Sequence, residues 1–300
     1  MKVTVFTPTY NRAYILHEAY ESLCRQDCKD FEWLIIDDGS SDDTKALVDS
    51  WMSRENGFPI RYEKIPNGGK MRAMNKAFRE ARGDLFVVLD SDDSFTDDAV
   101  SLICRWESSI SHRRDEFVGV AGLKCHKDGK PFGMTFKGEY LDCSVADRDK
   151  FGILGDKCEV FYTEILQRHP FKEFSGETFM AEGILWMEIC YEENKVLRWF
   201  NSPICKCDYL EDGYSSNVND FIAKNPRGVL YGCLKTIEIK RPGYNERLHI
   251  WHDYYLVGIH NGYSLGRIRK DLNISCFDMA ILICGHMLSL VKRKKFEVPE

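Results

Sequence analysis

The sequence has no surplus of basic residues. Lys and Arg number 41 against 47 Asp and Glu in 300 residues, a formal net charge of −6 with a pI near 5.8. That balance gives no global attraction for nucleic acid, and no stretch reads as a basic recognition helix. The opening segment MKVTVFTPTY has no charged region followed by an apolar one, so no secretory signal is expected. The 12 cysteines contain no C-x-x-C. CKC at 205–207 and the pair Cys24 and Cys28 have no matching His or Cys pair, which argues against zinc. Reduced thiols in a cytoplasmic protein are the simplest expectation. Repeats and low-complexity segments are missing too. What is present is a 44% hydrophobic chain, long enough for one large domain or for a domain with an appendage.

The first 125 residues alternate between two periods. Apolar runs VTVFT (3–7), FEWLIID (31–37), IRYEKI (60–65), LFVVLD (85–90) and FVGVAGL (117–123) read as strands. Between them, 13–24, the DDTKALVDSW stretch capped by Ser41, 70–81 and DDAVSLICRWESS read as helices. Met71, Met74, Phe78 and Ala81 form one stripe of the third. This alternation predicts an α/β fold, a Rossmann-like, mostly parallel sheet with helices on both faces. Residues 125–158 read as loops and short strands, 158–166 as strand then helix, 179–194 as helix and 195–205 as strand. From about 218 onward the chain looks helical.

In such sheets ligands bind beyond the carboxyl ends of the strands, and the acidic clusters sit there. VVLDSDDSF (87–95) drives a buried strand into Asp90, Asp92 and Asp93. Asp90-Ser91-Asp92 is a D-x-D, whose two carboxylates can converge on one hard cation and leave positions open for a phosphate. The alternative is a turn and helix N-cap, which is all that Asp93 and Asp97 need be. Asp37-Asp38 also ends a strand, where a carboxylate can accept from a base N–H or a ribose hydroxyl, or can simply start the DGSS turn. NGGKMRAMN (67–75) puts a Gly pair and Lys70 at a helix start, an anion site or an ordinary Asn-Gly turn. It is not a Walker P-loop, because Met71 follows Lys70 and the motif's first Gly is missing.

Taken together and in order, VFTPTYNR, IIDDGSSDDT, NGGKMRAMN and VVLDSDDSF resemble the nucleotide-sugar domain of glycosyltransferase family 2, the GT-A fold. FKEFSGETFMAEGILW and YLEDGYSSN resemble, more loosely, the acceptor half of bacterial members. The resemblance implies a nucleotide-sugar-binding half over 1–125, an acceptor-binding half of the same domain over 126–217, and a helical C-terminal extension over 218–300. It implies Pro8, Tyr10 and Arg12 around the nucleotide, Asp38 at the base, Lys70 near the nucleotide, and Asp90 with Ser91 at the ribose. Asp92, with Asp90, would hold a divalent cation, Mn²⁺ or Mg²⁺, on the diphosphate of a nucleoside-diphosphate sugar. The family inverts: an acceptor hydroxyl attacks the anomeric carbon while a carboxylate takes its proton. Glu182 matches that base, with Glu177 and Asp212 as alternates. The family's usual Glu-Asp pair is here Glu182-Gly183. An apolar neighbourhood from Phe179 to Ala181 would raise the base's pKa. The acceptor implied is a glycan or a lipid-linked precursor.

Three other readings compete. A haloacid-dehalogenase-type phosphatase also carries D-x-D, but at the opening of its domain and followed by Thr or Val. A sugar-phosphate nucleotidyltransferase opens on a Gly-rich loop that TPTYNR lacks. A degenerate transferase could bind sugar or a partner without catalysis. In the last helix, Ile274, Phe277, Ile281, Cys284, Leu288 and Val291 lie along one side, widened by Ala280, Ile283 and Met287. With KRKK at 292–295, this stripe carries the expectation of an association surface, packed on the catalytic domain or a second subunit or else touching anionic lipid, and not of a transmembrane span.

Overall fold

The structure, a computed structural model, describes residues 1–207 and 222–296, with side chains through 287. YLEDGYSSN and Asp212 lie outside the described residues, as do the side chains of Leu288, Val291 and the KRKK run. The chain divides into two compact units, Met1–Ser216 and Asn217–Glu300.

In the first unit β1 (Val3–Thr9), β2 (Phe31–Asp37), β3 (Ile60–Lys64) and β4 (Leu85–Val88) pair in parallel in the order β3-β2-β1-β4. The crossovers run through α1 (His17–Cys24), α2 (Thr44–Met52) and α3 (Lys70–Glu80). All seven residues of β2 are buried, as a strand covered on both faces requires. Tyr20 of α1 and Trp51 of α2 stack at 4.4 Å, and Trp33 of β2 lies 5.7 Å from Trp51. Large side chains buried this fully contribute roughly 1.5–3 kcal/mol each, so the strand ends beyond them are held firmly.

The parallel order gives way at β8 (Lys157–Tyr162), which runs antiparallel to both β4 and β6 (Phe117–Cys125). β9 (Val196–Lys206) pairs in parallel with β6 and antiparallel with β7 (Tyr140–Cys143) and the two-residue β5 (Ser94–Phe95). The nine strands form one sheet, β3-β2-β1-β4-β8-β6-β9-β5, with β7 on β9. α4 (Ala99–Ser108), α5 (Thr163–Arg168) and α6 (Glu182–Glu193) also belong to this unit. β6 and β9 have their register shifted at three points.

Local expectations need two corrections here. The first helix begins at His17, not at 13. Ile15 and Leu16 are buried as expected, but within a turn set by Asn11 at φ 53°. Ser41 does not cap α2. Asp42 accepts from the Thr44 N–H at 3.1 Å and from its hydroxyl at 2.6 Å, and it also accepts from the Ala13 N–H at 3.0 Å, which ties the first loop to the second.

The second unit has helices Pro226–Lys240, Tyr244–His260, Leu265–Leu272 and Cys276–Phe296. They pack around Leu230, Trp251, Tyr254, Ile268, Leu272 and Leu282. The apolar stripe of the last helix is divided. Ile274 is buried in this core and Ile283 packs against it, whereas Phe277 (74% exposed), Cys284 and Met287 face outward. A stripe this wide exceeds the arc one neighbouring layer covers. No helix among the described residues is long and apolar enough to cross a membrane.

Candidate active site

The site is built where β1, β2, β4 and β6 end. Each strand is largely apolar and runs into polar residues at its carboxyl end. The β1 loop is stitched to the β2 loop: the Asn11 N–H donates to Ser40 Oγ at 2.8 Å, and the Ser41 N–H donates to Asn11 Oδ1 at 2.7 Å. Asp37 is buried and accepts from the Ser40 N–H at 2.7 Å and from the Tyr62 hydroxyl. Burial and that carboxylate hold the Tyr62 phenol above its ordinary range.

Asp38 is also buried, and its two oxygens accept from the N–H groups of Gly68 and Gly69 at 2.7 and 2.8 Å. The Gly-Gly helix start is therefore an anion site, as its sequence suggests, but the anion is a side chain of the chain itself. Burial raises the Asp38 pKa, against the pull of the two amides. Gly69 sits at φ 90°, and a Cβ there would lie 2.0 Å from the Thr178 carbonyl oxygen. The segment 171–178 thus presses on the start of α3. Asn75 fixes it further, accepting from the Phe171 N–H at 2.7 Å and donating to the Phe171 carbonyl at 3.0 Å and to Glu173 at 2.9 Å. This packing delivers α6, which begins at Glu182, beside α3, which begins at Lys70.

Lys70 Nζ stands 2.6 Å from Asp90 Oδ1 and 2.6 Å from Glu182 Oε1. Burial alone would lower the lysine's pKa, but the two carboxylates raise it above its ordinary value. Burial would likewise raise Asp90, yet Lys70 and Lys124 hold it below the usual carboxylate range. Glu182 is therefore not surrounded by apolar groups alone, contrary to the neighbourhood expected from Phe179 to Ala181. The acceptor-side match and the D-x-D are nonetheless brought together, through a lysine. Space is open around Gly183, where a Cβ would meet nothing within 4 Å.

Asp92 carries no ion pair among the described residues. Burial and the neighbouring Asp90 charge raise its pKa, with Arg12 and Lys70 opposing. Arg12 donates to the Tyr14 hydroxyl, Tyr10 is 50% exposed, Pro8 lies in β1 opposite Ile36, and Ser91 is buried. Glu177 is buried in the segment before α6.

Two groups escaped sequence reasoning. Lys124, at the end of β6, lies 2.8 Å from Asp93 and 3.9 Å from Asp90. Asp93 is consequently a buried partner and not merely a turn residue; burial pushes it up to about 6, with Lys124 opposing. Lys124 was findable by the D-x-D signal itself, a charge ending an otherwise apolar strand. Glu159, largely buried on β8, has its pKa pushed up to about 7 by desolvation, opposed by Arg148 at 3.5 Å. Asp90, Lys124, Lys157, Glu159, Glu182 and Trp186 share the lining of a cavity of about 50 Å³. A larger depression of about 270 Å³, lined by Glu18, Arg25 and Lys206 among others, contains none of the D-x-D residues. The chemistry, not the volume, marks the site.

Asp90 and Asp92 offer only oxygen donors, and among the described residues Asp92 has no ion-pair partner. That fits a hard divalent cation. Among the described residues no group of three or more His, Cys, Asp and Glu is placed to hold a metal. The pair therefore fits an open site that borrows ligands from a bound phosphate, not a closed protein cage.

The sheet order, the helices around it and the polar strand ends define a GT-A fold. Residues 4–106 match the family model described as glycosyl transferase family 2. The match is confined to these residues, and the structural likeness below shows the fold around them. It is 29% identical over 204 residues to the GalNAc(5)-diNAcBac-PP-undecaprenol beta-1,3-glucosyltransferase of Campylobacter jejuni, covering 64% of this chain and 61% of that protein. The chain thus spans about three fifths of that relative's length. Its structure resembles S. aureus TarS 1-349 in complex with UDP-GlcNAc (TM-score 0.61, 20% identity, 86% of this chain and 73% of that one). It also resembles the mannosyltransferase PcManGT from Pyrobaculum calidifontis in complex with GDP-Man and Mn²⁺ (TM-score 0.55, 19% identity, 96% and 80%).

Proposed function

We propose that this protein is an inverting glycosyltransferase that moves a sugar from a nucleoside-diphosphate sugar to a hydroxyl of a glycan or lipid-linked acceptor by direct displacement. The observation that carries the reading is the convergence of Asp90 and Glu182 on Lys70, at 2.6 Å each. It puts a carboxylate from the second half of the sheet within one side chain of the D-x-D. Two neighbours of the same fold were solved with UDP-GlcNAc and with GDP-Man and Mn²⁺, and the Campylobacter relative is named for an undecaprenol-linked acceptor. These support the donor and acceptor classes.

In this mechanism the loops of β1 and β2 bind the nucleotide, with Pro8, Tyr10 and Arg12 around it and Asp38 near the base. Asp38 then serves two purposes, since its oxygens also hold Gly68 and Gly69. Asp90 and Ser91 take the ribose side, and Asp90 and Asp92 would hold Mn²⁺ or Mg²⁺. The cation, when bound, neutralises the charge of the leaving diphosphate. A sugar hydroxyl is a poor nucleophile until its proton is removed as the bond forms. Inversion requires attack from the face opposite the diphosphate, so the base must come from outside the D-x-D loop. Glu182 opens α6 on that other element, and Gly183 beside it leaves room for an acceptor.

The test is release of nucleoside diphosphate from UDP- and GDP-sugars on addition of acceptor glycans or prenyl-linked saccharides. Acceptor-dependent release of nucleoside diphosphate is expected. Ligand binding without turnover over the whole panel would make the chain a binding protein, and release of inorganic phosphate would favour phosphatase chemistry.

A further inference from the structure

Asp90 and Glu182 converge on Lys70, and Asp92 feels the charge of Asp90. Like charges repel there, and unpaired charge is costly where it is partly desolvated. Two cations offset this, Lys124 and the nearer Lys70. Lys70 contacts Asp90 and Glu182 at 2.6 Å each, while its side chain keeps 21% exposure on a flexible four-carbon stem. Lys124 cannot take the same part. It lies 2.8 Å from Asp93 but 3.9 Å from Asp90, so its short contact is to Asp93. Asp92 has no ion pair among the described residues. The arrangement therefore leaves one open carboxylate, Asp92, beside one that is already taken, Asp90.

We infer that Lys70 is a resident cation that latches Asp90 to Glu182 in the donor-free protein and has to release Asp90 before a divalent cation binds there. The inference rests on Asp90 and Asp92 being the cation ligands proposed above. Its consequence is a coupling between ligands. A metal ion alone has to break the Lys70–Asp90 pair, so it binds weakly. A diphosphate offers the displaced ammonium a new anionic partner, so it makes the exchange easier. Such competition between a side-chain cation and a metal ion is a coupling free energy, of the size that changes affinity about 5- to 150-fold. The same latch holds the proton-accepting carboxylate of Glu182 in an ion pair until the donor arrives.

The test titrates Mn²⁺ alone into the full chain and follows the loss of the free-ion electron paramagnetic resonance signal. Lys70→Met and Lys70→Gln should each bind Mn²⁺ about tenfold or more tightly than the wild type, and Lys70→Arg should stay near wild type. Arg12→Met removes a cation whose field also reaches Asp92 but which makes no ion pair with Asp90, so its gain should be much smaller. Adding Asp92→Asn to Lys70→Met should abolish the gain. Equal gains in Arg12→Met and Lys70→Met would show a general field effect and overturn the latch. Unchanged or weaker binding in both Lys70 variants, or a gain that survives Asp92→Asn, would overturn it as well. Sugar transfer by the wild type is scored separately. Its absence would count against the glycosyltransferase reading, whereas the Mn²⁺ comparison judges Lys70 alone.

Discussion

Lys70 and Glu182 are the first residues of two different helices, and their side chains meet at 2.6 Å. One belongs to the parallel half of the sheet and the other follows the antiparallel strand β8. What joins them is the segment 171–178, pressed against Gly69 and held by Asn75. The candidate base therefore owes its position to contacts made by the segment just before its own helix.

That dependence predicts the behaviour of Gly69→Ala. The residue combines φ 90° with a Thr178 carbonyl oxygen 2.0 Å from the would-be Cβ. The backbone conformation alone costs a non-glycine residue about 1–3 kcal/mol, and the clash adds to it. Gly129→Ala is the comparator, with φ 88° and nothing within 4 Å. Urea unfolding should show Gly69→Ala losing clearly more stability than Gly129→Ala. Equal losses would mean that the 171–178 segment yields freely and does not position Glu182.

Asp92→Asn should remove transfer while leaving the fold intact. Asp92 lies beyond a strand end, forms no ion pair among the described residues, and has its carboxyl pKa raised by burial and by Asp90, so neutralising it takes nothing from the core. The unfolding free energy should stay within about 0.5 kcal/mol of wild type. Turnover should fall by about a hundredfold or more, and chelation by EDTA should silence the wild type. Full activity in the variant, or activity indifferent to EDTA, contradicts a cation at this pair.

Glu159 gives a prediction for stability against pH. Its folded pKa is raised to about 7 from an ordinary 4.5, chiefly by desolvation. The folded state thus binds more protons than the unfolded state between those values, and stability falls as pH rises through that window. Glu159→Gln removes the titration. Its unfolding free energy should decline less than that of wild type between pH 4.5 and pH 7, with no further difference in slope above. Identical slopes in both proteins would contradict the burial argument.

Much of the parallel half was legible in the sequence because its signals are local. Val3–Thr9, Phe31–Asp37, Ile60–Lys64 and Lys70–Glu80 are continuous apolar or periodic segments bounded by polar breaks. The aspartates of the D-x-D announced themselves as charges ending such a run. Lys124 carried the same signal with the opposite sign and was passed over, because a lone lysine after a strand is unremarkable until its partner Asp93 is placed. Asp38 on the Gly68 and Gly69 amides joins groups some thirty residues apart, and no local pattern encodes that pairing. The two-residue β5 and the edge strand β7 are too short to show a period. The join between Lys70 and Glu182 depends on how 171–178 packs, which is tertiary and invisible to spacing.

The central claim is that Glu182 takes the acceptor's proton, and Glu182→Gln tests it most directly. The substitution keeps size and helix propensity and removes the base. With a nucleotide-sugar that the wild type turns over, donor affinity should survive in the variant, and turnover should drop by roughly 10²–10⁴. Near-normal turnover in Glu182→Gln would contradict the account and move the role to Glu177 or Asp212.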